Sequence, residues 1–210
     1  MKLENNTLWI KDCRLSFPNL LVAKATQGGV PKFNCNFVME PDAVEFQELK
    51  EIVWEMAQAK WGDNAQAVMT MISQDKRLRC YGNGNEKISN KTMKVYEGFE
   101  DKVYISASND TQPKLYGADA IELPPTANAN QLFVGGNYVA GIVSFWLQDN
   151  THGRAVRANL DGVQYLREGE HYGSAGPDTA GIFQPAPGAP APTAAAPGAP
   201  VAPANPLDFI

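Results

Sequence analysis

Residues 76–94 carry Lys76, Arg77, Arg79, Lys87, Lys91 and Lys94, opposed only by Glu86. Cations that track phosphates, interleaved with flat rings that stack bases, are what sequence-tolerant single-strand binding requires. Strand alternation sharpens the pattern. Read as a strand, residues 76–81 place Arg77, Arg79 and Tyr81 on one face and Leu78 and Cys80 on the other. In the same way, residues 102–109 place Lys102, Tyr104 and Ser106 opposite Val103, Ile105 and Ala107. Lys94 falls in the segment between, where Tyr96 and Phe99 are candidates for a further stacking platform, whereas Glu97, Glu100 and Asp101 dilute its charge. Trp146 and Arg157 extend the set more weakly, since a tryptophan is more often core than platform. Outward strand residues of no special role account equally well for this composition.

Other chemistries find little support. Gly82-Asn83-Gly84 lacks the strand-to-helix context and following lysine of a phosphate-cradling loop. With only His152 and His171, a Ser/His/Asp or Cys/His arrangement has few candidate members and no local signature. Asp110, Asp119 and Asp161 show no spacing that suggests a metal-dependent nuclease. Cys13, Cys35 and Cys80 are widely separated and form no C-x-x-C pair, so they read as small buried hydrophobes of a reducing compartment. No catalytic residue, cofactor or metal site is expected.

The elements that must position the cations follow from periodicity. Residues 137–167 read as a long central hairpin. Val139, Val143, Phe145 and Leu147 alternate with Tyr138, Ile142, Ser144 and Trp146, and a turn falls within residues 149–153. Residues 8–17 read as a first strand stopped by Pro18. Residues 31–39 read as a half-buried strand, with Phe33, Cys35, Phe37 and Met39 on one face and Lys32, Asn34, Asn36 and Val38 on the other. From Pro41 the period changes to that of an amphipathic helix, with Val44, Leu49, Ile52, Val53, Met56 and Trp61 inward and an end near Gly62. A shorter helix follows over 65–72. Short extended pieces and Gly- and Asn-rich turns occupy much of the rest. Five or six strands with one main inserted helix predict a mainly β fold, an OB-type barrel with helical decoration; pattern alone leaves a β-sandwich open.

Composition bounds the remaining choices. The net charge of −5 argues against indiscriminate polyanion binding by the whole surface, while leaving room for one basic groove. No apolar run approaches the roughly 20 residues of a membrane span, and the N-terminus lacks a secretory apolar region, so a cytoplasmic setting is expected. Residues 184–205 are nearly all Pro, Ala and Gly, a composition that makes an extended, semi-rigid linker. The expected organisation is a binding domain over 1–178 and a tail over 179–210. The tail ends in Leu207, Asp208, Phe209 and Ile210, which read as a docking peptide for a protein partner.

Two blocks carry a family likeness. The first is Arg14-Leu15-Ser16-Phe17-Pro18-Asn19-Leu20 followed by residues 29–37. The second is residues 135–173, with Phe145-Trp146, Asp149-Asn150, Gly153, Leu160-Asp161-Gly162-Val163-Gln164 and Arg167-Glu168-Gly169-Glu170. In combination they resemble a family of bacteriophage single-stranded-DNA-binding proteins over roughly residues 8–173, with a loose match over 62–130. The layout also resembles the T7-type members, which end in a flexible tail with a terminal aromatic. This tail departs from theirs in carrying Asp208 as its only charged side chain after Gln184. The resemblance implies an OB fold, no catalysis, a role in phage replication and recombination in the host cytoplasm, and phage or host replication proteins as partners of the tail. A homodimer is compatible with it. The competing expectation is a phage structural or assembly protein whose β-domain docks onto another protein.

Overall fold

The computed structural model describes residues 1–25, 29–124 and 129–172. The chain divides into two units, Met1–Gly173 and Ser174–Ile210, and every element named below belongs to the first. The sequence-predicted tail and its terminal peptide, Leu207 to Ile210, lie outside the described residues.

Among the described residues, seven strands form one sheet: β1 (Thr7–Lys24), β2 (Lys32–Met39), β3 (Tyr81–Asn83), β4 (Val103–Asn109), β5 (Lys114–Tyr116), β6 (Tyr138–Asn150) and β7 (Gly153–Arg167). Their order is β3-β4-β2-β1-β6-β7-β5, antiparallel throughout except where β5 runs parallel to β7. β7 packs back against β4, and Asn109 Nδ2 donates across that seam to the Leu160 carbonyl at 3.2 Å. Strands β4, β2, β1, β6 and β7 therefore curl into a five-stranded barrel of OB type. The inserted helices α1 (Val44–Trp61) and α2 (Ala65–Gln74) fall between β2 and β3, and a short α3 (Ala129–Leu132) precedes β6.

The hairpin is the spine of this barrel. Val139, Val143, Phe145 and Leu147 of β6 and Val156, Ala158 and Leu160 of β7 are buried, as period-2 alternation requires, and Val163 is buried out of that period because the ladder shifts register opposite Ile142 and Val143. Burying each large side chain contributes roughly 1.5–3 kcal/mol. Asp149 and Asn150 pair with Arg154 and Gly153, so only Thr151 and His152 make the turn. There the His152 N–H donates to Asn150 Oδ1 at 2.9 Å, and Gly153 takes the positive φ of 104°. Gly141 lets the Phe37 ring cross β6, since a Cβ there would lie 2.5 Å from it.

Several expected boundaries move, each for a local reason. β1 does not stop at Pro18. The ladder to β2 is already interrupted between Ser16 and Asn19, so the missing proline N–H costs no bond and the strand runs on to Lys24. In α1 the inward stripe is Phe46, Leu49, Ile52, Val53, Ala57 and Trp61, while Val44 is exposed at the first turn. Residues 76–81 are not one strand. Asp75 accepts the Arg77 backbone N–H at 2.9 Å and caps a 3-10 turn over Lys76–Leu78, leaving only Tyr81–Asn83 to pair with β4.

Candidate nucleic-acid interface

Register identifies the outer surface of the barrel at its seam. Ile105 and Ala107 of β4 point into the core, so Tyr104, Ser106 and Ser108 point outward. Ser106 is opposite Asn36, which is opposite Ser16, so one outward row crosses β4, β2 and β1. On the far side of the seam Trp146 is opposite Arg157, and Ser144 is opposite Asn159, again on an outward face. Between these surfaces lies a groove of about 400 Å³ lined by Lys32, Arg79, Ser106, Trp146, Arg157 and Asn159, with Cys80, Ser108, Gln148 and Ala158 completing its walls.

Each cation in the groove is held in place. Arg157 donates from Nε to Gln148 Oε1 at 3.1 Å and from Nη1 to the Arg77 carbonyl at 2.9 Å. Among the described residues it has no carboxylate partner, so its charge remains available to a phosphate. Arg79 donates from Nη2 to both Glu86 oxygens at 2.9 and 2.8 Å and from Nη1 to the Tyr81 carbonyl at 2.9 Å. Gly82 makes room for it, because a Cβ there would sit 2.4 Å from Arg79 Nη1. Lys32 pairs with Asp110 at 3.2 Å. Trp146 is 43% exposed, and its indole N–H is fixed to Asn159 Oδ1 at 3.1 Å. That bond sets the ring's orientation while leaving ring surface to solvent.

Lys87 extends the charge along the outward row. Its ammonium lies 3.4 Å from Asn36 Oδ1 and 3.3 Å from Ser106 Oγ, with the Tyr104 ring centroid 4.2 Å away. Ser106 Oγ also donates to Asn36 Oδ1. Burial, and then the neighbouring Lys76 charge, lower the Lys87 pKa from its ordinary value.

The structure thus brings Arg79, Trp146 and Arg157 together, but not the other five expected residues. Tyr81 is opposite Ile105 and so points to the core side, edge-on to Phe46 at 6.2 Å; burial raises its phenol to about 12. Tyr104 points outward as alternation predicts, yet it is only 3% exposed beneath Phe99 and Lys87. Lys102 pairs with Glu40 at 2.9 Å and lines a different cavity, one that also holds Asp12, Asp42 and Tyr172. Lys94 is exposed in the 88–95 turn, where its carbonyl accepts from the Ser89 N–H. Arg77 is spent on Asp75, whose carboxyl it lowers to about 2, and contributes its carbonyl to Arg157. Lys32, Lys87, Gln148 and Asn159 were missed. The polar face of residues 31–39 already displays Lys32 and Asn36, and that was the available signal.

The three cysteines are separately buried, and burial raises each thiol pKa. Among the described residues no group of three His, Cys, Asp or Glu side chains is arranged to hold a metal ion.

A family model described as "Enterobacter phage Enc34, ssDNA-binding protein" matches residues 6–187. The chain belongs to that family. A curated relative, "Putative protein p50" of Acyrthosiphon pisum secondary endosymbiont phage 1, is 28% identical over 170 residues, 80% of this chain and 86% of that protein. The fold is similar to that of the single-stranded DNA-binding protein from bacteriophage Enc34 solved in complex with ssDNA. The TM-score is 0.66 at 20% identity, covering 82% of this chain and 96% of that one. A further structure of the single-stranded DNA-binding protein from bacteriophage Enc34 matches with a TM-score of 0.59 at 21% identity, over 88% of this chain and 97% of that one.

Proposed function

We propose that this chain binds single-stranded DNA with little sequence preference, covering and protecting it during phage replication and recombination. Membership of the Enc34 family supports the reading. The observation that carries it is the seam groove, where an oriented, exposed Trp146 stands beside Arg157, Arg79 and Lys32. Arg157, which has no carboxylate partner among the described residues, neutralises a phosphate, Arg79 and Lys32 do so only by leaving Glu86 and Asp110, and the indole stacks a base, so the grip falls on features common to every nucleotide. No step in this scheme is catalytic, and the phage assembly-protein reading gains nothing from the groove. No described helix is long and apolar enough to cross a membrane, and the host cytoplasm is the proposed setting. The binding domain is assigned to 1–178, and Leu207, Asp208, Phe209 and Ile210 to docking of phage or host replication proteins.

Fluorescence anisotropy with a labelled oligo-dT of about 30 nucleotides, against a duplex of equal length, tests the reading. Tight binding to the single strand, weakening with salt by about 0.7 in log–log slope per phosphate contact, is expected. Arg157→Ala should reduce that slope by about the same single increment. Salt-independent affinity, or no affinity at low salt, would remove the groove mechanism.

A further inference from the structure

Phe17 is a bulky residue in a backbone conformation that bulky residues avoid, with φ of 46°. Glycine or asparagine would adopt it at less cost. Strict alternation after the inward Leu15 would also turn residue 17 into the core. Instead the register break between Ser16 and Asn19 leaves its side chain on the outside, 44% exposed. An exposed position held by a strained backbone is a poor place for an aromatic ring unless the ring itself is used.

The surroundings make that ring rigid. Phe17 stacks on the fully buried Phe99 with centroids 5.8 Å apart and planes at 27°. Tyr96 meets Phe17 edge-on at 4.8 Å and is itself 36% exposed. The Tyr96 N–H donates to the Lys87 carbonyl at 2.9 Å, which ties the pair to the lysine that sits on Asn36 and Ser106. Ser106 lines the seam groove, and Ser16, the neighbour of Phe17, is the other end of the same cross-strand row. Two interstrand steps separate them, about 10 Å.

From this we infer that Phe17 and Tyr96 form a second base-stacking platform, reached by a DNA strand that leaves the seam groove and passes over Lys87, since the row of Asn36 and Ser16 beneath is itself buried. The inference rests on the single-strand-binding reading of the groove. It assigns the strand a path across the barrel, with Trp146 at one end, Phe17 and Tyr96 at the other, and Lys87 between them.

The test uses the full chain and two oligo-dT lengths, one that only fills the groove and one of about 30 nucleotides. Phe17→Leu and Tyr96→Leu keep apolar packing but remove the ring. Each is expected to weaken binding of the long strand about five-fold to a hundred-fold, while leaving the short strand unaffected. Trp146→Ala should weaken both. In the unmutated chain, long strands carrying 5-iodouracil should photocrosslink to peptides containing Phe17 or Tyr96, an outcome independent of any variant's folding. Wild-type affinity of both Leu variants for the long strand, or crosslinks confined to Trp146, would overturn the platform while the groove reading stands. Failure of the unmutated chain to bind either strand would instead sink the groove reading itself.

Discussion

Trp61 packs against the central hairpin and Trp146 belongs to it, and each donates its indole N–H to a side-chain oxygen on that hairpin. Trp61 reaches Asp149 Oδ2 at 2.7 Å, and Trp146 reaches Asn159 Oδ1 at 3.1 Å. Beside Trp61, Lys60 donates to the Leu147 carbonyl at 2.8 Å, so the end of α1 is clamped to β6. Trp61 is buried and belongs to the core, whereas Trp146 stands at the groove with much of its ring exposed. The hydrogen bond orients both rings. What differs is whether protein already covers the ring faces, and that difference is why Trp61 reads as a clamp and Trp146 is proposed as a platform.

The sharpest way to break this contrast is from within the hairpin. Leu160→Ala removes a fully buried side chain from the hairpin that both tryptophans bond to and should cost about 2–5 kcal/mol of stability, read by chemical denaturation. The fraction that remains folded should bind single-stranded DNA as before. A smaller and opposite effect is expected on the groove side. Trp146→Ala should weaken single-strand binding by about 1–3 kcal/mol in anisotropy titrations, with stability changed by no more than about 0.5 kcal/mol. Unchanged affinity would reduce Trp146 to a structural residue like Trp61.

The smallest effect concerns pH. The hydrogen bond from Trp61, and then that from Arg154, lower the Asp149 pKa from its ordinary value. A carboxylate lowered in the folded state adds stability above its unfolded pKa of about 3.9, and that stability is lost as pH falls through the folded value. Trp61→Phe removes the larger cause. It should flatten this acid limb, followed by circular dichroism during acid unfolding, and leave DNA binding at neutral pH untouched.

Strong periodicity made the barrel legible. The hairpin, β2 and the two helices announce themselves by runs of alternation or of helical spacing long enough to outweigh local chemistry. Short pieces did not: at residues 75–81 one Asp75 side chain capping the Arg77 N–H overrides an apparent strand and reverses the face on which Tyr81 is found. Alternation placed Tyr104 outward correctly, but only the fold shows that the 84–102 segment brings Phe99 over it. Trp146 and Arg157 are opposed on one hairpin, but Arg79 reaches them from a segment distant in sequence, and composition gives no measure of that convergence. Lys32 and Asn36 were readable on the polar face of β2, though nothing in their own stretch marks that face as part of a basic site.

One consequence of the barrel's closure lies outside DNA binding. β4 and β7 face each other without being hydrogen-bonded neighbours in the sheet, so part of each strand edge opens onto the groove. Open strand edges recruit further strands, and natural proteins blunt them with charge. Arg79, Arg157 and Lys32 stand along this slit. On the proposed function these cations have a second consequence: charge placed along an open edge disfavours the addition of a strand from another copy.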